Sequence, residues 1–241
     1  TKLSTFTIKK PMEYDILVKE KLVDYMMTFV SEERKKRFED IIINRTKHLT
    51  VVIEDVYQAH NASAVLRSCD LTGVQDVHII ENKNDYDVNP EVAMGSSKWL
   101  NIMKYNNSDN NTLEVINSLK ESGYKIVATT PHKKSYGIDD IPIDEKTALL
   151  FGTELTGLSD IAIENSDEIL TIPMFGFTES YNISVSAAII LQDIVSRMHQ
   201  SDISWGLSDR ECGEIAMRWT KANIKGVDQI IERYHQNNND L

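Results

Sequence analysis

The chain has 241 residues, 41% of them hydrophobic and 26% charged, a balance suited to a globular protein of one large domain, or of one domain with helical extensions. No apolar run approaches the length of a membrane span and the N-terminus shows no charged-then-apolar leader, so no membrane partner is expected and the cytoplasm is the expected compartment. The net charge of −11 argues mildly against a nucleic-acid partner, and the two cysteines, Cys69 and Cys212, form no CxxC or Cys/His cluster, so no metal site is expected.

From about Tyr14 to Asn44 the apolar spacing predicts one or two helices, with a fresh start at Ser31. This segment carries Arg34, Lys35, Lys36 and Arg37 in succession, and Arg45 and Lys47 follow closely; Lys133 and Lys134 form a further pair. Such clusters are as readily solvated faces as docking surfaces. Short apolar runs then alternate with helical patterns. Strands are predicted at Val51–Val56, Asp76–Ile80, Ile102–Tyr105, Lys125–Thr129, Ala148–Phe151 and Ile169–Ile172. Helices are predicted at Asn61–Leu71, Thr112–Ser122, about Asp160–Asn165 and Ile183–Gln200. The alternation implies a parallel sheet with helices on both faces. Ser208–Gln236 adds one or two helices broken near Gly226, and Gln236–Asp240 is expected to fray.

Such a sheet suits a nucleotide-like ligand, yet GxGxxG, GxxxxGK[ST] and GxSxG are all missing, which disfavours an ordinary dinucleotide site, a P-loop and a hydrolase elbow. Three other segments at strand ends carry the chemistry. Asn61-Ala-Ser-Ala-Val-Leu-Arg67 opens a helix, with Asn61 a plausible cap and Asn61, Ala64 and Arg67 on one flank; Arg67 could equally pair with Asp70 at i+3. Phe151-Gly152-Thr153-Glu154-Leu155-Thr156-Gly157-Leu158-Ser159 places glycines where backbone must come close, with Ser159 a reasonable helix cap. Ile172–Leu191, IPMFGFTESYNISVSAAIIL, joins an irregular polar loop to a helix apolar nearly all round; Ser180 or Asn182 could cap it, and for Ser184 capping and direct function are equally open.

Taken in this order, NxxAxxR, FGxExxGLS and IPMxGxxxSxNxSxA resemble the motifs of the SPOUT methyltransferase superfamily, and of its TrmH family of RNA ribose 2′-O-methyltransferases. The resemblance spans about residues 45–200, and Arg45–Glu81 is particularly similar to the tRNA guanosine branch acting on the D-loop. It implies a parallel α/β domain over residues 46–200 with a C-terminal deep trefoil knot, an N-terminal helical extension over 1–45 that docks tRNA, and a C-terminal helical extension over 201–241. It also implies S-adenosylmethionine as cofactor, a homodimer with its active site near the interface, and methylation of a tRNA ribose 2′-hydroxyl, most specifically at guanosine 18. Cofactor contacts carried over are Thr129, Thr130, Gly152, Thr153, Glu154, Leu155, Thr156, Ile172, Met174, Tyr181 and Asn182. Catalytic residues carried over are Arg67, Asn61, Glu154, Ser180 and Asn182; the RNA surface falls on Arg34–Arg37, Arg45 and Lys47. Tyr181 departs from the pattern, which usually has Leu there. Other readings are a 2′-O-methyltransferase for ribosomal RNA or another tRNA position, and a non-catalytic RNA-binding knot protein.

Overall fold

The strand β1 (Leu49–Glu54, LTVVIE) is buried along its whole length. Its mid-strand hydroxyl, on Thr50, donates to the Asp76 carbonyl at 2.7 Å, so nothing in the strand seeks water. A run buried on both faces must lie in the middle of a covered sheet, and it does. The computed structural model describes residues 21–86, 90–108, 110–131, 136–153 and 155–238. On one side β1 pairs in parallel with β2 (Asp76–Ile80), which pairs with β3 (Asn101–Tyr105). On the other it pairs with β6 (Thr147–Phe151), followed by β4 (Lys125–Thr129), β7 (Glu168–Thr171) and the short edge strand β5 (Tyr136–Gly137). The seven strands, ordered β3-β2-β1-β6-β4-β7-β5, are all parallel.

Alternating side chains supply two apolar layers. Leu49, Val51 and Ile53 of β1, Val127 of β4 and Leu149 and Phe151 of β6 join Val65, Leu66 and Cys69 of α2 (Ala59–Thr72) and Ile190, Leu191 and Ile194 of α6 (Ile183–His199). The opposite set, Val52, Ile126, Ala128, Ala148 and Leu150, joins Val115, Ile116 and Leu119 of α4 (Asn111–Glu121) and Ala162 of α5 (Asp160–Glu164). Cys69 is therefore a core residue, and burial pushes its thiol far above the usual range.

β1 begins two residues before its predicted start and ends at Glu54. The chain turns at Asp55, whose φ is 51°, and the Asp55 carboxylate accepts the Asn82 and Lys83 amides at 2.7 and 2.8 Å. An Asp tolerates this left-handed backbone, and the hydrogen bonds fasten the end of β1 to the loop after β2. Three elements escaped the periodicity reading because each is one turn or less: β5, α3 (Pro90–Ala93) and a 3-10 turn at Ser96–Lys98. α2 starts at Ala59 rather than Asn61. Gln58 is its N-cap and makes no side-chain cap bond, so Asn61 sits inside the first turn and does not cap it.

These elements form one compact unit over residues 44–206. The described residues on either side form a second, all-helical one with α1 (Glu32–Ile42), α7 (Asp209–Asn223) and α8 (Val227–Asn238). Its core includes Phe38 and Trp219, with ring centroids 5.5 Å apart. Ser31 caps α1, Ser208 and Glu211 form a capping box on α7, and Gly226, with φ 66°, breaks α7 from α8 as expected. Among the described residues no helix is long and apolar enough to cross a membrane.

Candidate active site

β4, β6 and β7 end side by side, and the chain leaving each of them wraps one cavity of about 320 Å³. Thr129, Thr130 and Pro131 come from β4 and its exit; Gly152, Thr153, Leu155, Thr156, Gly157 and Leu158 from the turn after β6; Ile172, Met174, Glu179, Ser180 and Tyr181 from the loop after β7. α6 contributes Ile183, Ser186 and Ile190. Carboxyl-terminal strand ends are where open parallel sheets hold ligands, because the loops there are free of the ladder.

The β6 turn closes on itself. Thr153 and Gly157 exchange backbone hydrogen bonds of 2.9 and 3.1 Å, and the Thr153 hydroxyl meets both the Thr156 hydroxyl at 2.7 Å and its amide at 3.0 Å. A Cβ on Gly152 would lie 2.2 Å from Gly157 carbonyl carbon and Leu158 nitrogen, so the close approach admits no other residue. Glu154 lies outside the described residues.

At the helical wall, Asn182 is the N-cap of α6. Its Oδ1 accepts the Ser184 amide at 2.8 Å and the Ser184 hydroxyl at 2.6 Å, while its Nδ2 donates to Asn61 Oδ1 at 3.1 Å. Asn182 therefore ties α6 to α2 and is not among the cavity-lining residues, whereas Ser180, two positions before it, is. Arg67 is exposed, lies outside the cavity lining and makes no ion pair among the described residues. The alternative pairing with Asp70 is ruled out by another cation: Asp70 is taken by Arg45. That contact also corrects Arg45. With 3% exposure it is an inward-facing structural cation, not a surface group for RNA. Lys47 is partly buried beside Asp76, at 3.7 Å. Arg34, Lys36 and Arg37 are exposed on α1, and Lys35 pairs with Glu32 at 2.5 Å. Lys133 and Lys134 lie outside the described residues.

Of the carried-over cofactor residues that are described, all but Asn182 line the cavity. Sequence reading missed Glu179, its one carboxylate among the described residues, because an exposed Glu in a polar loop carries no pattern. It also missed Ser186 and Ile190, which helical spacing from Asn182 could have found. No group of three or more His, Cys, Asp or Glu that could hold a metal occurs among the described residues.

Residues 48–192 match the SpoU rRNA methylase family, an interval that holds the whole cavity. The chain belongs to the SpoU methylase family. Among SpoU methylases it is 40% identical to a tRNA (guanosine(18)-2′-O)-methyltransferase of Borreliella burgdorferi, over 92% of this chain and 98% of that one. A Thermus thermophilus enzyme of the same name is 35% identical over 67% and 81% of the two chains. The crystal structure of an Aquifex aeolicus TrmH/SpoU tRNA modifying enzyme superposes with a TM-score of 0.71, at 32% identity, covering 80% of this chain and 98% of that one. The SpoU methyltransferase AviRb of Streptomyces viridochromogenes, crystallised with AdoMet, shares the fold at a TM-score of 0.55 and 22% identity, covering 67% of this chain and 62% of that one.

Proposed function

We propose that the chain is an S-adenosylmethionine-dependent methyltransferase acting on a tRNA ribose 2′-hydroxyl, with guanosine 18 as the target. The observation that carries this reading is the cavity inside the SpoU-matched interval, walled by the segments that resemble the second and third family motifs. Its lining fits an adenosyl group. Ile172, Leu158 and Ile190 offer apolar faces to a flat ring, threonine hydroxyls and loop amides offer hydrogen bonds, and the Gly152 contact lets backbone approach closely. When bound, the cofactor supplies a methyl group on a positively charged sulfur.

The protein's part is to hold and polarise the hydroxyl that attacks. A guanidinium with a pKa above about 12 is not a base at neutral pH. Arg67 instead stabilises the developing oxyanion and fixes the neighbouring phosphate through its planar fork. Asn61 and Asn182, bonded to each other, set the helix ends that orient this site, and Ser180 faces the ribose. Glu154, water or an RNA phosphate takes the proton.

The active protein is a homodimer with a trefoil-knotted core. Exposure of Leu71 on α2 and of Val185 and Ile189 on α6, large apolar groups on helices that pack together, supports a second copy covering them. The SpoU unit over 46–200, the helical extensions over 1–45 and 201–241, and the cytoplasm as compartment belong to the same reading. Arg34, Lys36 and Arg37 form the tRNA-docking face on α1. The deciding experiment incubates the purified protein with labelled S-adenosylmethionine and unmodified tRNA and maps the methylated ribose. Label at position 18 is expected. Label at another tRNA position, or on ribosomal RNA alone, overturns the substrate, and no label on any RNA overturns the enzyme.

A further inference from the structure

Glu54 closes β1 with a carboxylate only 2% exposed, and an acid so deep in the fold is costly unless its oxygens are occupied. Both are. Oε1 accepts the Thr112 hydroxyl at 2.6 Å and the Ser159 hydroxyl at 2.7 Å, and Oε2 accepts the Ser159 amide at 2.8 Å. Two of the three donors belong to one residue, Ser159, which ends the Gly152–Leu158 cavity wall. Ser159 in turn accepts the Ala162 amide at 3.1 Å as the cap of α5.

The wall needs such an anchor. Among the described residues its hydrogen bonds, Thr153 with Gly157 and Thr156, close it on itself, and Leu158 at its far end is buried in the core. Leu155, with 94% exposure, projects into solvent. The position of such a closed turn is set at its two ends. One end is held by the β6 ladder, and the other is held at Ser159 by Glu54 across the sheet.

We infer that Glu54 is a positioning residue for cofactor binding, holding the Gly152–Leu158 wall through Ser159 in the geometry that grips the adenosyl group. This rests on the cavity being the S-adenosylmethionine site. A wall fixed before binding spares the ligand the cost of ordering it, so loosening it weakens cofactor affinity and leaves the chemical step largely untouched.

Glu54→Gln keeps the size but turns one acceptor into a donor facing the Ser159 amide. The Michaelis constant for S-adenosylmethionine is expected to rise about tenfold, with kcat on tRNA changed by less than about threefold. Ser159→Ala, which keeps the amide contact and loses the hydroxyl one, should raise it by about three- to tenfold and decides the matter if Glu54→Gln does not fold. Thr112→Val removes a hydrogen bond from the same buried carboxylate but not toward the wall. It should lower the melting temperature while leaving cofactor affinity within about twofold. Unchanged affinity in folded Glu54→Gln or Ser159→Ala overturns the positioning role, as does a Thr112→Val effect equal to theirs. Calorimetry on Ile172→Trp, which fills the cavity, separates the premise. If that variant binds S-adenosylmethionine as the parent does, the cofactor lies elsewhere and the reading of the cavity fails. If it loses binding while both Glu54→Gln and Ser159→Ala keep it, the cavity stands and the role of Glu54 falls.

Discussion

Arg67 shows how little of a residue's part is written in its own surroundings. It is a solvent-exposed side chain that makes no ion pair among the described residues, and Asp70, its i+3 neighbour, pairs with Arg45. An exposed guanidinium can meet a phosphate and an oxyanion at once, and a planar fork serves both. Arg67→Lys is expected to lower kcat about 100-fold while cofactor affinity, measured by calorimetry, stays put. Near-parental turnover would rule out the bidentate role. Gly152 is constrained more severely. The methyl of Gly152→Ala would meet backbone at 2.2 Å, and backbone cannot rotate away as a side chain can. The variant should fold on its intact sheet yet bind S-adenosylmethionine more than about tenfold more weakly, since the turn must open to admit the methyl. Titration calorimetry reads this directly, and parental affinity would show that the turn is not a cofactor wall.

At the scale of elements, β2 and β3 carry a pH-sensitive join. The ring of His78 on β2 lies stacked on Tyr105 of β3, with centroids 5.7 Å apart and Nδ1 2.9 Å from the phenol oxygen. Burial pushes its pKa down from 6.5 to about 4. Between those values the unfolded chain takes up a proton that the folded one refuses. Stability from this group is therefore whole above pH 6.5 and declines as pH falls toward 4, by on the order of 3 kcal/mol in all. Glu81 adds to the same trend. Burial alone would raise its pKa, but hydrogen bonds from Lys104, the Tyr86 amide and Asn106 outweigh that and hold it low. Melting curves of the parent and His78→Gln between pH 7 and 4 separate the two groups. The variant should lose the steeper part of the decline, and parallel curves would show that His78 does not titrate on unfolding.

Elements also mark where periodicity reading works. The long strands and α2, α4 and α6 were legible because one or both faces are apolar at a fixed period, a pattern that burial imposes on sequence. Boundaries were less so. Asn61 has the side chain of a cap and Gln58 does not, yet the helix begins at Ala59 with Gln58 at its N-cap. The reverse holds at α6, where Asn182 caps as its type suggests and also holds Asn61 across to α2.

For the molecule as a whole, the proposed tRNA substrate sets a polyanion against an acidic chain, and the basic groups are unevenly used. Arg45 is spent inside the fold, and Lys47 is partly buried beside Asp76, whereas Arg34, Lys36 and Arg37 stay in water. Reversing those three exposed charges to Glu should weaken tRNA binding at least about tenfold and flatten its salt dependence, with cofactor affinity unchanged. Filter binding across a salt series tests this; an unaltered slope would remove α1 from the RNA surface. The assembly has its own test. Ile189→Glu places a charge on an exposed apolar site of α6 and should shift light-scattering mass from dimer to monomer with loss of methylation.

The amino-acid sequence by itself determined the parallel α/β class, the order of its principal elements and two of the strand-end segments that wall the cavity. Those properties rest on local periodicity and on glycines and caps that act within a few residues. Only the tertiary structure decided that Arg45 belongs to Asp70, that Asn182 meets Asn61, and that Glu54 holds Ser159 from 105 positions away. A carboxylate or amide carries no mark of its partner in its own neighbourhood. The pairing is set by which strand ends the sheet order brings side by side, and that is a property of the fold.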